Sequence, residues 1–438
     1  MRELPRTAIA KQWLPFLGRR LGLAKRLSVL SVDPDDFALH HVFPASTSLA
    51  KLAGFPGKFD PRAGGVGVEL GEAVNRAMGE LLERYASLAY GEAGRVVCSR
   101  KALEDRGCQA VALRELTLFS DEQLSTPGFP YVRLTDDTPV GWFEGTNLAD
   151  GSPIFVPGEL VALGYVPGAG ETGPCFYPTS SGCALATSPE GALLSGILEL
   201  IERDAVMIHW YARMAPPLLC FRHEDLFGER FGLERHRLDV RFHDMTIDGE
   251  VPVVGVSCVE RTGRPCFFLL SAACRLNVLD AARKALIEVG QGRPFVKLLA
   301  NTHPAPKETD VFKDFDSNLR FYAEPSNAGF TEWFLGNTSL SSRRFSDVAD
   351  VKDTGGLLRV LLNKCRAMSI TPIAFDITTP EMRDGGLFAC KIFAPELVPL
   401  CVPSAPFLGH PRLAHYMTAA RRNGFGAGVP DWLPHPFP

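Results

Sequence analysis

Three stretches of the chain place acidic or amide side chains one helical turn apart, a spacing that suits divalent-metal chemistry. Residues 80–84 and 199–203 both read Glu-x-x-Glu-Arg, and residues 288–291 read Glu-x-x-Gln. Side chains three or four positions apart lie on one face of a helix, so each stretch presents a pair of oxygen ligands. Mg²⁺ prefers such ligands and usually bridges them to the phosphates of a substrate. The predicted metal ligands are Glu80, Glu83, Glu199, Glu202 and Glu288.

Each of these stretches belongs to a predicted helix, because apolar residues recur around it at helical spacing. The three helices are predicted over residues 69–89, 189–211 and 280–291. One acidic stripe alone is typical of a solvated helix face. Three stripes at one spacing, on helices whose other faces are largely apolar, favour a shared site. One turn before each stripe the chain carries a further polar side chain: Arg76, Ser195 and Lys284.

Arginines follow the stripes, and two interpretations of them stay open. Arg84 and Arg203 either contact a phosphate or pair with a neighbouring carboxylate, since buried acidic clusters need compensating charge. Arg293 lies in a predicted Gly-rich turn after the third stripe and is the stronger candidate for a phosphate contact.

Two loops precede the first two helices. Residues 64–67 read Gly-Gly-Val-Gly, and residues 179–182 read Thr-Ser-Ser-Gly. Such loops can bring backbone amides close to a phosphate. Neither has the spacing of a Walker loop or of a dinucleotide fingerprint, so an ordinary turn or a helix cap is the alternative.

Composition excludes several classes of protein. The 438 residues are 46% hydrophobic with a net charge of −4 and no evident basic face, so nucleic acid is not an expected partner. The longest apolar runs are shorter than the roughly 20 residues that a membrane-spanning helix needs. Eleven cysteines without a CxxC pair predict reduced, buried thiols and a cytoplasmic location.

The remaining segments predict a single mixed α/β fold. A further helix is predicted over residues 351–367, and residues 301–345 are predicted to be loops. The strands are predicted over residues 131–134, 140–143, 153–157, 251–258, 266–270, 370–377 and 387–398, the last two as a pair.

The proline-rich C-terminal end keeps apolar side chains almost to its last residue, among them Leu433 and Phe437. Such a composition suits docking onto the folded protein. A terminal carboxylate delivered to a site can act as a base. A terminal segment is also expected to contribute little to the core, so its removal is predicted to leave the fold largely intact.

At these positions the sequence resembles the YcaO superfamily, whose members carry helical motifs of the form SxxxExxER, (N/S)xxxExxER and ExxQxR. The motifs correspond to residues 76–84, 195–203 and 288–293, and the family's GGKG element falls on residues 64–67. The resemblance runs from about residue 60 to the C-terminus. Two positions depart from it: Val66 stands where the family has Lys, and Arg76 stands where it has Ser.

The resemblance implies a YcaO-type α/β fold with carboxylate-bearing helices around a site for ATP and Mg²⁺. It implies an N-terminal arm over residues 1–58, a catalytic domain over residues 59–403 and a Pro-rich tail over residues 404–438 that reaches the site. The tail resembles that of azoline-forming cyclodehydratases and makes Pro438 the implied catalytic residue. The implied contacts of ATP are Arg76, Arg84, Ser195, Arg203, Gln291 and Arg293.

Enzymes of this kind form thiazolines or oxazolines from Cys, Ser or Thr of a ribosomally made precursor peptide. Because the arm is too short for the fused adenylyltransferase-like module, a separate leader-binding partner is expected. An FMN-dependent azoline dehydrogenase is a further candidate partner. Two alternatives stay open. One is formation of a thioamide or amidine by the same fold, and the other is a scaffold subunit with a degenerate nucleotide pocket.

Overall fold

The structure is a computed structural model, and it describes most of the chain. The described residues are 2–20, 22–46, 48–54, 61–91, 94–226, 238–260, 267–308, 310, 312, 314–345, 351–424, 426, 429 and 433–437.

The described residues form fourteen strands in three sheets. The strands are β1 (Arg2–Glu3), β2 (Ala24–Leu30), β3 (His40–Ser46), β4 (Gly65–Gly67), β5 (Val96–Cys98), β6 (Val140–Asn147), β7 (Pro153–Pro157), β8 (Cys183–Ala186), β9 (Leu218–Leu219), β10 (Leu238–Asp244), β11 (Val253–Glu260), β12 (Phe268–Cys274), β13 (Ile373–Asp376) and β14 (Phe388–Phe393). The sheets run in the orders β1-β2-β3-β4, β12-β11-β10-β9 and β5-β6-β13-β14-β8, with β7 also paired to β6.

Twelve α-helices pack on these sheets within the described residues, which confirms the mixed α/β fold. They are α1 (Leu49–Leu52), α2 (Leu70–Ala89), α3 (Arg100–Asp105), α4 (Asp121–Ser125), α5 (Pro189–Tyr211), α6 (His223–Leu226), α7 (Val278–Thr302), α8 (Phe315–Ala323), α9 (Glu332–Leu335), α10 (Thr354–Ala367), α11 (Pro380–Asp384) and α12 (Pro411–Arg422). No described helix is long and apolar enough to cross a membrane.

The first two site helices lie on opposite faces of the edge formed by β8 and β14. On one face, Cys183 Sγ of β8 contacts Ser87 Oγ of α2 at 3.4 Å. On the other face, α5 comes so close that a Cβ on Gly196 would lie 2.7 Å from Cγ1 of Ile392. Because consecutive side chains of a strand alternate between faces, the sheet edge separates α2 from α5. The two helices flank the strand β8, one on each face, and their acidic stripes come together beside it.

The third site helix, α7, packs on the second sheet, and α5 touches that sheet as well through β12. Asn277 Oδ1 caps the start of α7 by accepting from the N–H of Leu279 at 2.8 Å. The site helices therefore contact all three sheets: α2 packs on β3 and β4 of the first sheet as well as on β8, and α5 contacts the second and third sheets.

The N-terminal segment is built into the fold. Strands β1 to β3 form one sheet with β4, and Trp13 Nε1 donates to Asn75 Oδ1 of α2 at 2.8 Å. Trp13 is 4% exposed. Residues 2–46 therefore pack against the rest of the fold. The division of the chain at residues 58 and 403 stays a prediction.

Some predicted elements are wrong. Residues 131–134 form no strand, and the N–H of Val132 bonds to the carbonyl of Pro174 at 3.0 Å outside any sheet. The range 301–345, predicted to be loops, contains α8 and α9. Helix α7 continues past residue 291 through Pro294 to Thr302, because its packing against other elements outweighs the local Gly and Pro signals.

Candidate active site

The first acidic stripe is joined to the glycine-rich loop. Glu80 Oε2 accepts from the backbone N–H of Gly64 at 2.7 Å, and Glu80 Oε1 pairs with Arg84 Nη2 at 2.5 Å. The loop can approach α2 because Gly65 has no side chain: a Cβ there would lie 2.2 Å from the carbonyl oxygen of Ala73. The loop and the stripe thus form one corner of the site.

Glu83, one turn further along α2, lies among other carboxylates. Burial raises the pKa of Glu83 well above its ordinary value, and the carboxylates of Glu199 and Glu80 raise it further. Arg84 and Arg203 oppose this rise without cancelling it. A carboxylate that is buried beside like charges favours either a proton or an added cation. This position therefore attracts positive charge.

The second stripe, on α5, is balanced by basic side chains. Glu199 Oε1 lies 3.2 Å from Arg203 Nη2. Glu202 is 2% exposed, and its Oε2 accepts from the N–H of Cys274 at 3.1 Å and from Lys284 Nζ at 3.3 Å. Burial opposes ionisation of Glu202, but Lys284, Arg203 and Arg275, together with the N–H of Cys274, outweigh burial and hold its pKa below the ordinary value.

The third stripe, on α7, is linked to the second by one lysine. Lys284 Nζ lies 2.6 Å from Glu288 Oε1 and also contacts Glu202. Burial disfavours the charge on Arg203, yet Glu199, Glu202 and Glu288 together raise its pKa. All three helices thus act on one set of charges, as the spacing of the stripes predicts.

We call this set the glutamate cluster. Its five carboxylates outnumber its three basic side chains, and they remain in excess when Arg275, which also acts on Glu202, is counted. Its members are Glu80, Glu83, Glu199, Glu202 and Glu288, with Arg84, Arg203 and Lys284. Carboxylate oxygens in excess over positive charge are the donor set that Mg²⁺ prefers, so the residues present fit one or more such ions. A second acidic group lies outside the glutamate cluster. It consists of Asp33, Asp35 and Asp36, and among the described residues it is the group whose carboxylate oxygens all lie within 4.8 Å of one another.

The remaining predicted nucleotide contacts differ in their surroundings. Arg76 Nη1 donates to the carbonyl oxygen of Val66 at 2.9 Å, so the two positions that depart from the YcaO motifs touch each other. Arg76 and Ser195 are exposed, and Gln291 is half-buried. Their contact with a nucleotide stays a prediction.

Arg293 belongs to a separate charged group. Its side chain is 1% exposed, with Nε 2.9 Å from Asp36 Oδ1 and Nη1 2.7 Å from Glu260 Oε2. The Gly-rich turn predicted at this position is part of the continuous helix α7. A guanidinium enclosed by two buried carboxylates is not open to phosphate here. The structure therefore does not support the predicted phosphate contact of Arg293 and gives this residue a structural role.

Lys284 belongs to the glutamate cluster but is absent from the predicted metal ligands and ATP contacts. Its signal was present, because Lys284 precedes Glu288 by four residues, as Ser195 precedes Glu199. Which charge Lys284 would meet depends on packing between α5 and α7, and the sequence does not give that packing.

Residues 64–398, more than half of the chain, match the family described as YcaO cyclodehydratase, ATP- and Mg²⁺-binding. The chain belongs to the YcaO family. This match confirms the resemblance drawn from the three motifs, and its description confirms ATP and Mg²⁺ as the predicted cofactors.

Solved structures show that the fold is shared with a heterocyclase, a microcin synthetase and a YcaO protein. A heterocyclase in complex with substrate and cofactor superposes with a TM-score of 0.71 at 18% identity, over 90% of this chain and 52% of that one. The E. coli microcin synthetase McbBCD complex with pro-MccB17 bound gives 0.63 at 13% identity over the full length of both chains. YcaO from Methanopyrus kandleri bound with AMPPCP and Mg²⁺ gives 0.58 at 18% identity, over 84% and 86%.

The similarity to a curated relative is limited to a short segment. An uncharacterized protein in the tfuA 3′ region of Rhizobium leguminosarum bv. trifolii is 42% identical over 67 residues, which is 15% of each chain. The YcaO chain described here thus spans a small part of that relative and about half of the heterocyclase.

The C-terminal segment of this YcaO protein packs against α5 and comes to lie beside the glutamate cluster. Tyr322 Oη donates to the carbonyl of Pro434 at 2.5 Å, and Arg203 Cζ lies 4.6 Å from the centroid of the Phe437 ring. Leu433 and Phe437 are 0% and 2% exposed. The expectation that the tail adds little to the core is therefore wrong. Pro438 lies outside the described residues, and its catalytic role stays a prediction.

His435 should make the packing of the tail sensitive to acid. It is fully buried, its Nε2 lies 2.9 Å from the carbonyl oxygen of Cys401, and burial lowers the pKa of His435 to about 4 from 6.5. Between pH 4 and pH 6.5 the imidazole binds a proton in the unfolded protein but not in the folded one. Stability is therefore full above pH 6.5, the pKa in the unfolded protein, and is lost as the pH falls from 6.5 towards 4. We expect His435 to contribute up to about 3 kcal/mol to the decline in the free energy of unfolding over that window, at roughly 1.4 kcal/mol per pKa unit.

Urea unfolding at a series of pH values would measure this decline. His435→Asn should make the decline shallower by that amount; the rest should remain, because burial also lowers the pKa of His41, His243 and His410. His415→Asn, a change at an exposed position of α12, should leave the decline as in the wild type. Equal slopes for wild type and His435→Asn would contradict the assignment.

Proposed function

We propose that this YcaO protein is an ATP-dependent cyclodehydratase of a ribosomally made precursor peptide. The observation that carries the proposal is the glutamate cluster, in which three helices present carboxylates in excess over positive charge around Glu83. Family membership and the likeness to heterocyclases support the same class of reaction.

Within this proposal, the carboxylates of the cluster hold Mg²⁺, which when bound neutralises the charge of the polyphosphate. Arg84 and Arg203, the cluster's arginines, are proposed to contact ATP, together with Arg76, Ser195 and Gln291. Because Arg84 and Arg203 already pair with Glu80 and Glu199, both interpretations of these arginines remain compatible: they balance carboxylates here and can turn to phosphate oxygens when ATP is bound.

The proposed reaction removes one water equivalent for each ring. A Cys, Ser or Thr side chain of the peptide attacks the preceding amide carbonyl, and the amide-derived oxygen receives the terminal phosphoryl group of ATP. Loss of phosphate then leaves a thiazoline or an oxazoline, with ADP as the second product. The thiol or hydroxyl proton and the amide proton need a base, for which we propose the carboxylate of Pro438. The position of Phe437 beside Arg203 supports this part of the proposal.

Peptide recognition is proposed to involve a partner. The McbBCD synthetase is a complex, and the heterocyclase chain is about twice as long as the part matched here. We propose an adenylyltransferase-like protein that binds the leader of the precursor, and an FMN-dependent dehydrogenase as a further partner when azolines are oxidised to azoles.

A second candidate function is a scaffold subunit with a weakened nucleotide site. Val66 favours it, because its side chain is 1% exposed in the core and supplies no charge to the glycine-rich loop. The contact of Arg76 with the Val66 carbonyl favours the enzyme, since it returns a guanidinium to the same loop.

Mass spectrometry of a Cys-rich precursor, incubated with the protein, its partner, ATP and Mg²⁺, tests the proposal. Each ring should remove the mass of one water, and no loss would refute the function. Calorimetry with ATP and Mg²⁺ separates the enzyme from the scaffold, because only the enzyme needs tight nucleotide binding. The variant Glu199→Ala plus Glu202→Ala should lose both binding and ring formation; retained activity would refute the site.

A further inference from the structure

A buried lysine lies close to the glutamate cluster and bonds to backbone carbonyls. Lys391 is 2% exposed and lies in β14 directly opposite Cys183 of β8. Its Nζ donates to the carbonyl oxygens of Thr179 at 2.8 Å and Ser181 at 2.6 Å. Both carbonyls belong to the polar loop, defined as residues 179–182, which leads into β8 and α5. Because a buried amino group must find polar partners, Lys391 fixes the path of this loop.

Cys183 shows that the loop borders the cluster. Its thiol contacts Ser87, which lies one turn beyond Glu83 on α2. Burial raises the pKa of Cys183 to about 11. Lys391 opposes that rise, whereas Glu83 and Glu199 add to it, so all three charges lie around this one thiol.

The contacts of Lys391 direct the amide groups of the polar loop away from the lysine. In a planar trans peptide, a C=O group and the following N–H point in opposite directions. Since the carbonyls of Thr179 and Ser181 point to Lys391 Nζ, the N–H groups of Ser180 and Gly182 point the other way. Neither N–H has an acceptor among the residues that the structure describes.

The hydroxyl of Ser181 gives a second, independent observation. Ser181 is 4% exposed, and its Oγ has no hydrogen-bond partner within the described part of the chain. Buried polar groups are rarely left unpaired, so an unpaired hydroxyl together with two amide donors indicates a ligand with acceptor oxygens.

We propose that Lys391 is a positioning residue that holds the polar loop so that its amides and Ser181 bind a phosphoryl group of ATP. The inference rests on the proposed use of ATP. Phosphate oxygens that are not covered by a metal ion need hydrogen-bond donors, and backbone amides of a fixed loop supply them without side-chain flexibility. The glutamate cluster and the polar loop then bind opposite kinds of charge at one site.

Lys391→Met tests this inference, because methionine fills the same space and removes the donors. We expect the Kd of a non-hydrolysable ATP analogue with Mg²⁺ to rise about tenfold, while the Kd of adenosine stays unchanged. In the assay of ring formation, the KM for ATP should rise and the KM for the peptide should not. Lys364→Met, at a half-buried lysine of α10 paired with Glu250, is the matched control and should change neither.

An unchanged Kd for the analogue, or an equal loss for adenosine, would overturn the proposal, since a purely structural role weakens both ligands alike. If Lys391→Met does not fold, Ser181→Ala takes its place: the analogue should bind several-fold more weakly at unchanged thermal stability, and unaltered binding would overturn the proposal. Analogue binding requires no peptide, so a wild-type protein that binds it but forms no rings refutes the cyclodehydratase alone.

Discussion

Replacing Glu83 by Gln should make the ligand-free protein more stable and abolish its proposed activity. Burial and the neighbouring carboxylates raise the pKa of Glu83 well above its ordinary value of 4.5, so its ionised form is unfavourable in the fold. An acid with a raised pKa holds its proton more tightly in the folded protein than in the unfolded one. Stability is therefore lost as the pH rises above the pKa of the unfolded protein. Glutamine is neutral at every pH and avoids that loss.

The same substitution removes a proposed metal ligand. Because loss of residues that only support a metal ligand costs about 10- to 100-fold, loss of the ligand itself should reduce ring formation by more than about 100-fold. Urea unfolding near pH 7 measures the gain in stability, and mass spectrometry measures the loss of rings. Mg²⁺ with an ATP analogue should stabilise the wild type and have little effect on the variant.

Glu190→Gln is the matched control for Glu83→Gln, since Glu190 is exposed in the first turn of α5. It should leave activity intact and change stability by less than about 1 kcal/mol. If ligand-free Glu83→Gln is less stable than the ligand-free wild type, then basic side chains fully compensate the charge of this carboxylate. That outcome would remove the reason for placing a metal there.

Phe437→Ala should lower the free energy of unfolding by about 3–5 kcal/mol, the usual cost of deleting a buried phenylalanine ring. The ring is 2% exposed and lies against the guanidinium of Arg203, an arrangement worth about 0.5–2 kcal/mol by itself. Arg203 also pairs with Glu199, so ring formation should fall more than the unfolded fraction alone explains. Urea unfolding and initial rates of ring formation measure the two effects.

Phe437→Leu separates packing from the cation–π contact, because leucine keeps most of the apolar volume and loses the π face. It should recover most of the stability and little of the activity. Wild-type stability in Phe437→Ala would show that the tail is not part of the core. Deleting residues 436–438 should likewise destabilise the protein, contrary to the expectation for a terminal segment, because the deletion removes Phe437.

The site helices were predictable because their signals are local. Apolar periodicity places α2 and α5 within one residue of their observed bounds, and Pro189 after Ser188 marks the start of α5. The carboxylate stripes follow from the helical period alone. That they meet depends on α2 and α5 lying on either side of β8, a consequence of strand order that no local pattern gives.

The parts that failed depend on long-range contacts. Helix α7 continues through Pro294 to Thr302, and Arg293 within it pairs with Asp36, a residue far away in the sequence that no local pattern links to the helix. Lys391 is an unremarkable residue in a predicted strand, and its importance comes from two carbonyls about 210 positions earlier. Burial of Phe437 agrees with the docking that the apolar composition of the tail suggests, but its contribution to the core was not predicted, because the partners of Phe437 are far away in the sequence.

The pairing of β3 with β4 bears on where the functional unit of this protein begins. The family match starts at residue 64, within the loop that contacts Glu80. Yet β4, the strand that follows Gly64, has its sheet partner in β3, where Val42 lies opposite Gly65 and His41 opposite Val66. A fragment cut at the family boundary would keep every motif residue and lose the strand that pairs with the glycine-rich loop. Expression of an isolated catalytic fragment should therefore begin before β1, even though no recognised motif lies there.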